Sequence, residues 1–229
     1  MSTRPRFWLR AVLALVLLLA VAAAFGWQRW RHWTPARTDY PMQGLALSAV
    51  HGVVDWGSLQ TQNPDFVYVR AVNGQHGRDP AFSRNWAEAK AAGMRYGAEI
   101  LFDPCFPASA QATVFVTTVP RDNAALPAAI RIDDAPACAA LPGRDRVVSE
   151  LNTLINLVEA HMGKPTLLHL SQAAEQRYAI SESINRTLWL DRAWFAPHYA
   201  SHPWVMWTAN PARQVAGVQM PVEWIVVAK

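Results

Sequence analysis

The chain has 229 residues, 52% of them hydrophobic and 17% charged, with a formal net charge of +4. So much apolar side chain can order a core, which excludes a disordered protein, and only one run is long and apolar enough to cross a bilayer, which excludes a polytopic membrane protein. The charge is unevenly placed: residues 1–40 carry six Lys and Arg against one Asp, and the rest carries 15 Lys and Arg against 16 Asp and Glu. The nearly neutral body has no electrostatic footprint for nucleic acid.

In chain order, Arg4, Arg6 and Arg10 precede an uncharged run from Ala11 to Trp27. Arg29, Arg31 and Arg37 follow it, with Trp27, Trp30 and Trp33 interleaved. Two readings compete. A signal anchor over residues 1–27 would tether the body by one helix, with the Trp collar at the membrane interface. A cleaved signal peptide would use Ala22-Ala23-Ala24 as a small-residue cleavage site. The collar favours the anchor. Both readings place the body outside the cytoplasm, and the anchor reading makes it a membrane-anchored, exported domain. Residues 28–42 are polar, basic and Pro-containing, as a linker would be, and residues 43–229 form the domain proper.

Gly44–Ser48 is the first β-type run, followed by the β-rich Phe66–Arg70. Ala81–Ala92 has a helical pattern ending at Gly93, a residue that closes helices. Arg95–Phe102 reads as a strand, Ser109–Val119 as a helix stopped by Pro120, and Ala129–Asp134 as a strand ending in acids. Arg146–Met162 is amphipathic, with Val147, Leu151, Leu154, Ile155 and Val158 on one face. Thr166–Leu170 is a strand and Ala173–Tyr178 a short helix. Thr187–Asp191, Trp204–Thr208 and Val222–Val227 are three further β-type runs without long helices between them. Alternating β and α predicts a parallel sheet, and eight strands predict a closed α/β barrel.

These segments carry a resemblance. Gly44-Leu45-Ala46-Leu47-Ser48 and His51-Gly52-Val53-Val54-Asp55-Trp56 resemble the GxDxS and QGxIDW opening of glycoside hydrolase family 25 lysozymes. Asp65–Gly74 is similar to that family's DFVxIKATEG. Asp79-Pro80-Ala81-Phe82, Asn85-Trp86, Ala89–Gly93 and Gly97-Ala98 follow as they do there. Ala110-Gln111-Ala112, Gly163-Lys164-Pro165, Leu188-Trp189-Leu190 and Trp204–Trp207 continue the order. The resemblance covers residues 43–227. It implies a TIM-like modified barrel, (β/α)5(β)3, and hydrolysis of the β-1,4 bond between N-acetylmuramic acid and N-acetylglucosamine in peptidoglycan, with a glycan strand as partner.

Glycoside hydrolysis generally uses two carboxyl groups, one to protonate the leaving oxygen and one to stabilise the sugar cation or activate water. The resemblance implies an Asp on the first strand and a DxE motif on the fourth. Here the first position holds Ala46, and the motif aligns with Ile132-Asp133-Asp134, so that Ile132 replaces one acid. Asp134 is the remaining acid. By strand alternation it shares a face with Ile132, while Asp133 and Arg131 point the other way, Arg131 into the helix layer. Glu99 and Asp103, near the end of the third strand, are candidates for a re-sited partner acid. Asn73, Trp207 and Glu223 are candidates for substrate binding. Trp204 and Trp207, three apart, are expected on opposite faces. Two functions follow: a muramidase with a rearranged acid pair and weakened activity, or a non-catalytic envelope protein that binds peptidoglycan or a partner protein through the old cleft.

Cys105 and Cys138 show no CxxC motif, and the histidines no ligand spacing, so no metal or cofactor is expected. In the implied fold the two cysteines follow adjacent strands, and an exported compartment permits a disulfide between them.

Overall fold

The structure is a computed structural model that describes residues 4–133 and 140–229. It divides into two compact units, one ending at Trp33 and the other spanning Thr34–Lys229.

The first unit is the helix α1 (Arg4–Arg31). Its segment Val12–Arg31 is long and apolar enough to cross a membrane. The helix runs past Trp27 because nothing from Gln28 to Arg31 breaks it, and the next proline is Pro35.

The second unit is a closed barrel of eight strands in sequence order: β1 (Gln43–Leu47), β2 (Phe66–Asn73), β3 (Arg95–Leu101), β4 (Ala129–Ile132), β5 (Leu167–Leu170), β6 (Thr187–Asp191), β7 (Trp204–Arg213) and β8 (Val222–Val227). Strands β1 to β7 pair in parallel, and β8 closes the barrel antiparallel to both β7 and β1. Helices fill the first five connections: α2 (Trp56–Gln60), α3 (Phe82–Ala91), α4 (Ala108–Thr118), α5 (Arg144–Met162), and the pair α6 (Gln172–Tyr178) and α7 (Ile180–Ser183). This is the (β/α)5(β)3 arrangement: the parallel pair β6–β7 is joined by the helix-free segment 192–203, and only the antiparallel pair β7–β8 needs no crossover.

The amphipathic stretch becomes α5, which buries Val147, Leu151, Leu154, Ile155, Val158 and Met162. Burial of each such side chain is worth about 1.5–3 kcal/mol. Gly163 ends the helix at φ +67°, a left-handed conformation that glycine adopts without steric cost.

The barrel interior is layered. Its lower layer packs Ala46, Phe66, Tyr68, Ala129, Leu167, Trp189, Met206 and Ile225. Gly97 on β3 has no side chain because the Tyr68 ring fills the space: a Cβ there would lie 2.6 Å from the ring. These inward residues fix which alternate positions face the barrel mouth, one step further along each strand.

Candidate functional site

At that next step the strands present a ring of polar side chains: Arg70 on β2, Glu99 on β3, Arg131 on β4, His169 on β5, Asp191 on β6, Thr208 on β7 and Glu223 on β8. The register pairs Arg70 with Glu99, Arg131 with His169, Asp191 with Thr208, and Glu223 with Ala46. Only β1 contributes no polar group, since Ala46 stands there. Four of these ring residues, Arg70, Glu99, Arg131 and Glu223, line a cleft of about 380 Å³ whose walls include Ser48, His51, Asn73, Asp79 and Asp133. The position matches the general rule that barrel sites lie at the C-terminal ends of parallel strands.

The ring is tied together by ion pairs. Arg70 Nε donates to Glu99 Oε2 at 2.7 Å. His169 lies between two carboxylates, with Nδ1 2.8 Å from Glu99 Oε1 and Nε2 2.7 Å from Asp191 Oδ1. Arg131 Nη1 donates to both oxygens of Glu223 at 2.7 Å, and Nε donates to both oxygens of Asp133 at 2.9 and 3.1 Å. Its Nη2 lies 3.6 Å from Asp191 Oδ2. Counting His169 as charged, the seven ring positions hold three cations and three carboxylates.

His169 does carry that charge. Both ring nitrogens face acceptors, which only the doubly protonated imidazole can satisfy. Complete burial works against the cation, but the charge of Asp191 and the hydrogen bonds to Asp191 and Glu99 overcome it and raise the pKa to about 9. The imidazolium also stacks on Trp189, with centroids 3.8 Å apart and planes 5° from parallel, a favourable cation–π geometry. Trp189 is held in turn by its Nε1–H bond to Thr208.

The carboxylates divide. Burial disfavours the charge on Glu99, yet Arg70 and His169 hold its pKa far below the usual range. Asp191 is likewise depressed despite burial, through His169 and Arg131. Glu223 is pushed up, because burial outweighs the attraction of Arg131. Arg131 is held firmly protonated by Glu223 and Glu99 against its own burial.

Several expectations are corrected by this geometry. Arg131 does not face the helix layer. It and Asp133 point into the cleft, while Ile132 is fully buried. A DxE motif with both acids in the cleft therefore falls on Arg131-Ile132-Asp133, one residue earlier than the sequence register placed it, and it is Arg131 that stands in place of an acid. Asp134 lies outside the described residues.

Trp207 is not in the cleft. A register shift between Leu188 and Trp189 leaves Val205 as an extra residue in β7, which brings Trp204 and Trp207 to the same side, 6.1 Å apart. Trp207 packs beneath Tyr40 and donates Nε1–H to Arg192 O. Glu99 and Glu223 are brought together in the ring. Asn73 lines the cleft wall and donates to Asp79, whose carboxylate also binds the backbone of Ala49 and Ala81. Asp103 does not line the cleft: its carboxylate accepts from Cys105 N and shapes the turn after β3. Cys105 is disulfide-bonded. Cys138 lies outside the described residues. No cluster of ligands that could hold a metal occurs among the described residues.

Sequence reasoning did not place Arg70, Arg131, His169 and Asp191 in one site. Each stands at or near the C-terminal end of its strand, and that shared position was the available signal.

The family model "Glycosyl hydrolases family 25" matches residues 46–218. The protein YegX of Escherichia coli K12 is 27% identical over 199 residues, which cover 82% of this chain and 70% of that protein. Lysozyme M1 of Streptomyces globisporus is 31% identical over 126 residues, covering 53% of this chain and 42% of that enzyme. The structure of a family 25 glycosyl hydrolase from Bacillus anthracis superposes with a TM-score of 0.77 at 27% identity, covering 86% of this chain and 92% of the other.

Proposed function

The chain belongs to glycosyl hydrolase family 25, the lysozyme family that acts on peptidoglycan, and from that premise we propose that it is a membrane-tethered envelope protein whose cleft holds a peptidoglycan glycan strand without efficient hydrolysis. The tether is the apolar helix α1, which leaves the barrel on the exported side of the membrane, and Cys105 pairs with Cys138 there.

One observation carries this reading: Arg131 occupies the cleft floor where the motif calls for a carboxylate, and it neutralises the carboxylates around it. Acid catalysis of glycoside cleavage needs one carboxyl poised to give a proton and a second left free to face the developing sugar cation. Glu223 and Asp133 are both in hydrogen-bonded contact with Arg131. Glu99 is locked between Arg70 and His169. The first strand offers only the methyl group of Ala46. An arginine beside the scissile bond also repels a cationic transition state. What remains is an open polar cleft able to hydrogen-bond sugar hydroxyls and acetamido groups.

The test uses the full chain in uncharged detergent with purified peptidoglycan. The expected result is co-sedimentation with the sacculi and no release of muropeptides above a buffer control. Release that disappears in Asp133→Asn would overturn the reading and establish a muramidase. Loss of sedimentation would remove the glycan as ligand.

A further inference from the structure

Two loops at the barrel mouth are built into one wall. The first joins β1 to α2 over residues 48–55, and the second joins β7 to β8 over residues 214–221. Asp55 N donates to Gly217 O at 2.8 Å. Gly217 stands at φ +83°, and a Cβ there would collide with Asp55 O, so only glycine permits this approach. The Gln219 side-chain oxygen lies 3.2 Å from where a Cβ on Gly52 would stand. The His51 ring bonds to the backbones of Ser48 and Pro221. The wall is thus preformed, and its residues Val50, His51 and Pro221 line the cleft.

Its crest is apolar. Val50 is 72% exposed, Val53 64% and Met220 52%. Val50 and Val53 flank His51 and Gly52, and Met220 lies between Gln219 and Pro221, the two residues that meet them. Single exposed apolar residues are ordinary, but three on one braced wall beside a cleft mark a contact surface. A cation stands next to them: Arg84 of α3 is exposed and donates Nη2–H to Gly52 O at 2.9 Å. That partner is a neutral carbonyl, and no carboxylate pairs with Arg84 among the described residues.

An apolar crest with a cation beside it, continuous with a polar cleft, fits a ligand that is sugar at one end and a short, anionic peptide with small alkyl groups at the other. Peptidoglycan has this build: the lactyl group of its N-acetylmuramic acid carries a stem peptide that begins with alanine and bears free carboxylates. We propose that the wall carrying Val50, Val53 and Met220, with Arg84 beside it, is a docking surface for the stem peptide, so that the cleft selects glycan strands that still carry their stems. The alkyl groups of the stem meet the crest, and a stem carboxylate meets Arg84. Because the wall is braced before the ligand arrives, little ordering opposes binding. The inference rests on the glycan reading above and names the form of glycan that the cleft takes.

The experiment measures binding of the full chain, in uncharged detergent, to labelled soluble glycan strands by fluorescence anisotropy. One set of strands keeps its stem peptides, and the other is stripped of them by an amidase that cuts the lactyl–alanine amide. Stem-bearing strands are expected to bind about tenfold or more tighter than stripped ones, the scale that burial of a few alkyl contacts predicts. The double variant Val53→Ser with Met220→Ser, and separately Arg84→Gln, should each cut that preference several-fold while stripped strands bind as they do to the wild type. Unchanged binding of stripped strands also shows that the variants are folded. Equal or weaker binding of stem-bearing strands by the wild type would overturn the proposal, leave the glycan reading standing and hand the crest to a protein partner. A preference unaltered in both variants, or equal losses on both sets of strands, would mean that these residues do not read the stem and would overturn it too. Failure of both sets to bind the wild type would remove the glycan reading, and this inference with it.

Discussion

Arg131 on β4 reaches across the barrel mouth and binds both carboxylate oxygens of Glu223 on β8 at 2.7 Å. The two are 92 residues apart in sequence, and the closed sheet makes them neighbours. Such a bidentate pair fixes both planar groups and, with Asp133 and Asp191 on the same guanidinium, gives one side chain three acidic partners.

Replacing Arg131 with Met would leave those acids to repel one another in a largely desolvated floor. Breaking a buried pair from one side costs about 3 kcal/mol or more. Urea unfolding at neutral pH should show that loss for Arg131→Met, and the deficit should shrink in acid, where the stranded carboxyls protonate. A loss under about 1 kcal/mol would put these contacts in the class of solvent-screened surface pairs.

His169 gives the fold a pH signature. Its folded pKa, about 9, lies above the ordinary histidine value of 6.5, so its contribution is complete below about pH 6.5 and is lost as pH rises through 9. The shift corresponds to a contribution of about 3 kcal/mol. Glu99 and Asp191 run the other way. Their pKa values are depressed, so their contribution is present at neutral pH and disappears as pH falls below the ordinary carboxylate range. Urea midpoints taken from pH 6 to 9.5 should decline for the wild type and stay flat for His169→Gln. A flat wild-type profile would show that His169 is neutral in the native barrel.

The barrel was legible in the sequence because helical and strand periods alternate five times and then stop alternating. Glu99 and Glu223 were found through the family motifs around them. The facing of β4 was not legible, and the reason is physical. A strand in a barrel wrapped by helices is buried on both sides, so Ile130 and Ile132 suit the helix layer as well as Ala129 suits the interior, and hydrophobicity cannot say which way Arg131 points. Trp207 was misplaced for a different reason. The extra residue at Val205 reverses the alternation in β7, and nothing in the residue types announces a bulge.

The cysteines offer a test of compartment and fold together. If Cys105 is joined to Cys138, intact mass after export should fall short of the reduced mass by the two thiol hydrogens. Closing a loop of this length stabilises the folded state by about 4 kcal/mol in the chain-entropy view, so reduction should lower the thermal midpoint by several degrees. Equal masses before and after reduction would dismiss the bridge.

Gly97 and Tyr68 form a tight joint in the barrel interior. The Tyr68 ring lies edge-on to Phe66 and tilted against Trp189, and its hydroxyl donates to Pro127 O at 3.1 Å, so the ring cannot swing away when a methyl group is added at Gly97. Gly97→Ala is therefore expected to cost about 1–3 kcal/mol as an overpacking strain, although alanine suits a strand no worse than glycine. Shrinking the ring tests the cause. Tyr68→Leu alone should be destabilising, because it opens a void beside Trp189, but the double variant should be less destabilised than the sum of the two, since Leu leaves room for the methyl group. Chemical denaturation of the two singles and the double gives the coupling directly. Strict additivity would mean that the contact between these two residues does not set the packing of the floor on which the charged ring rests.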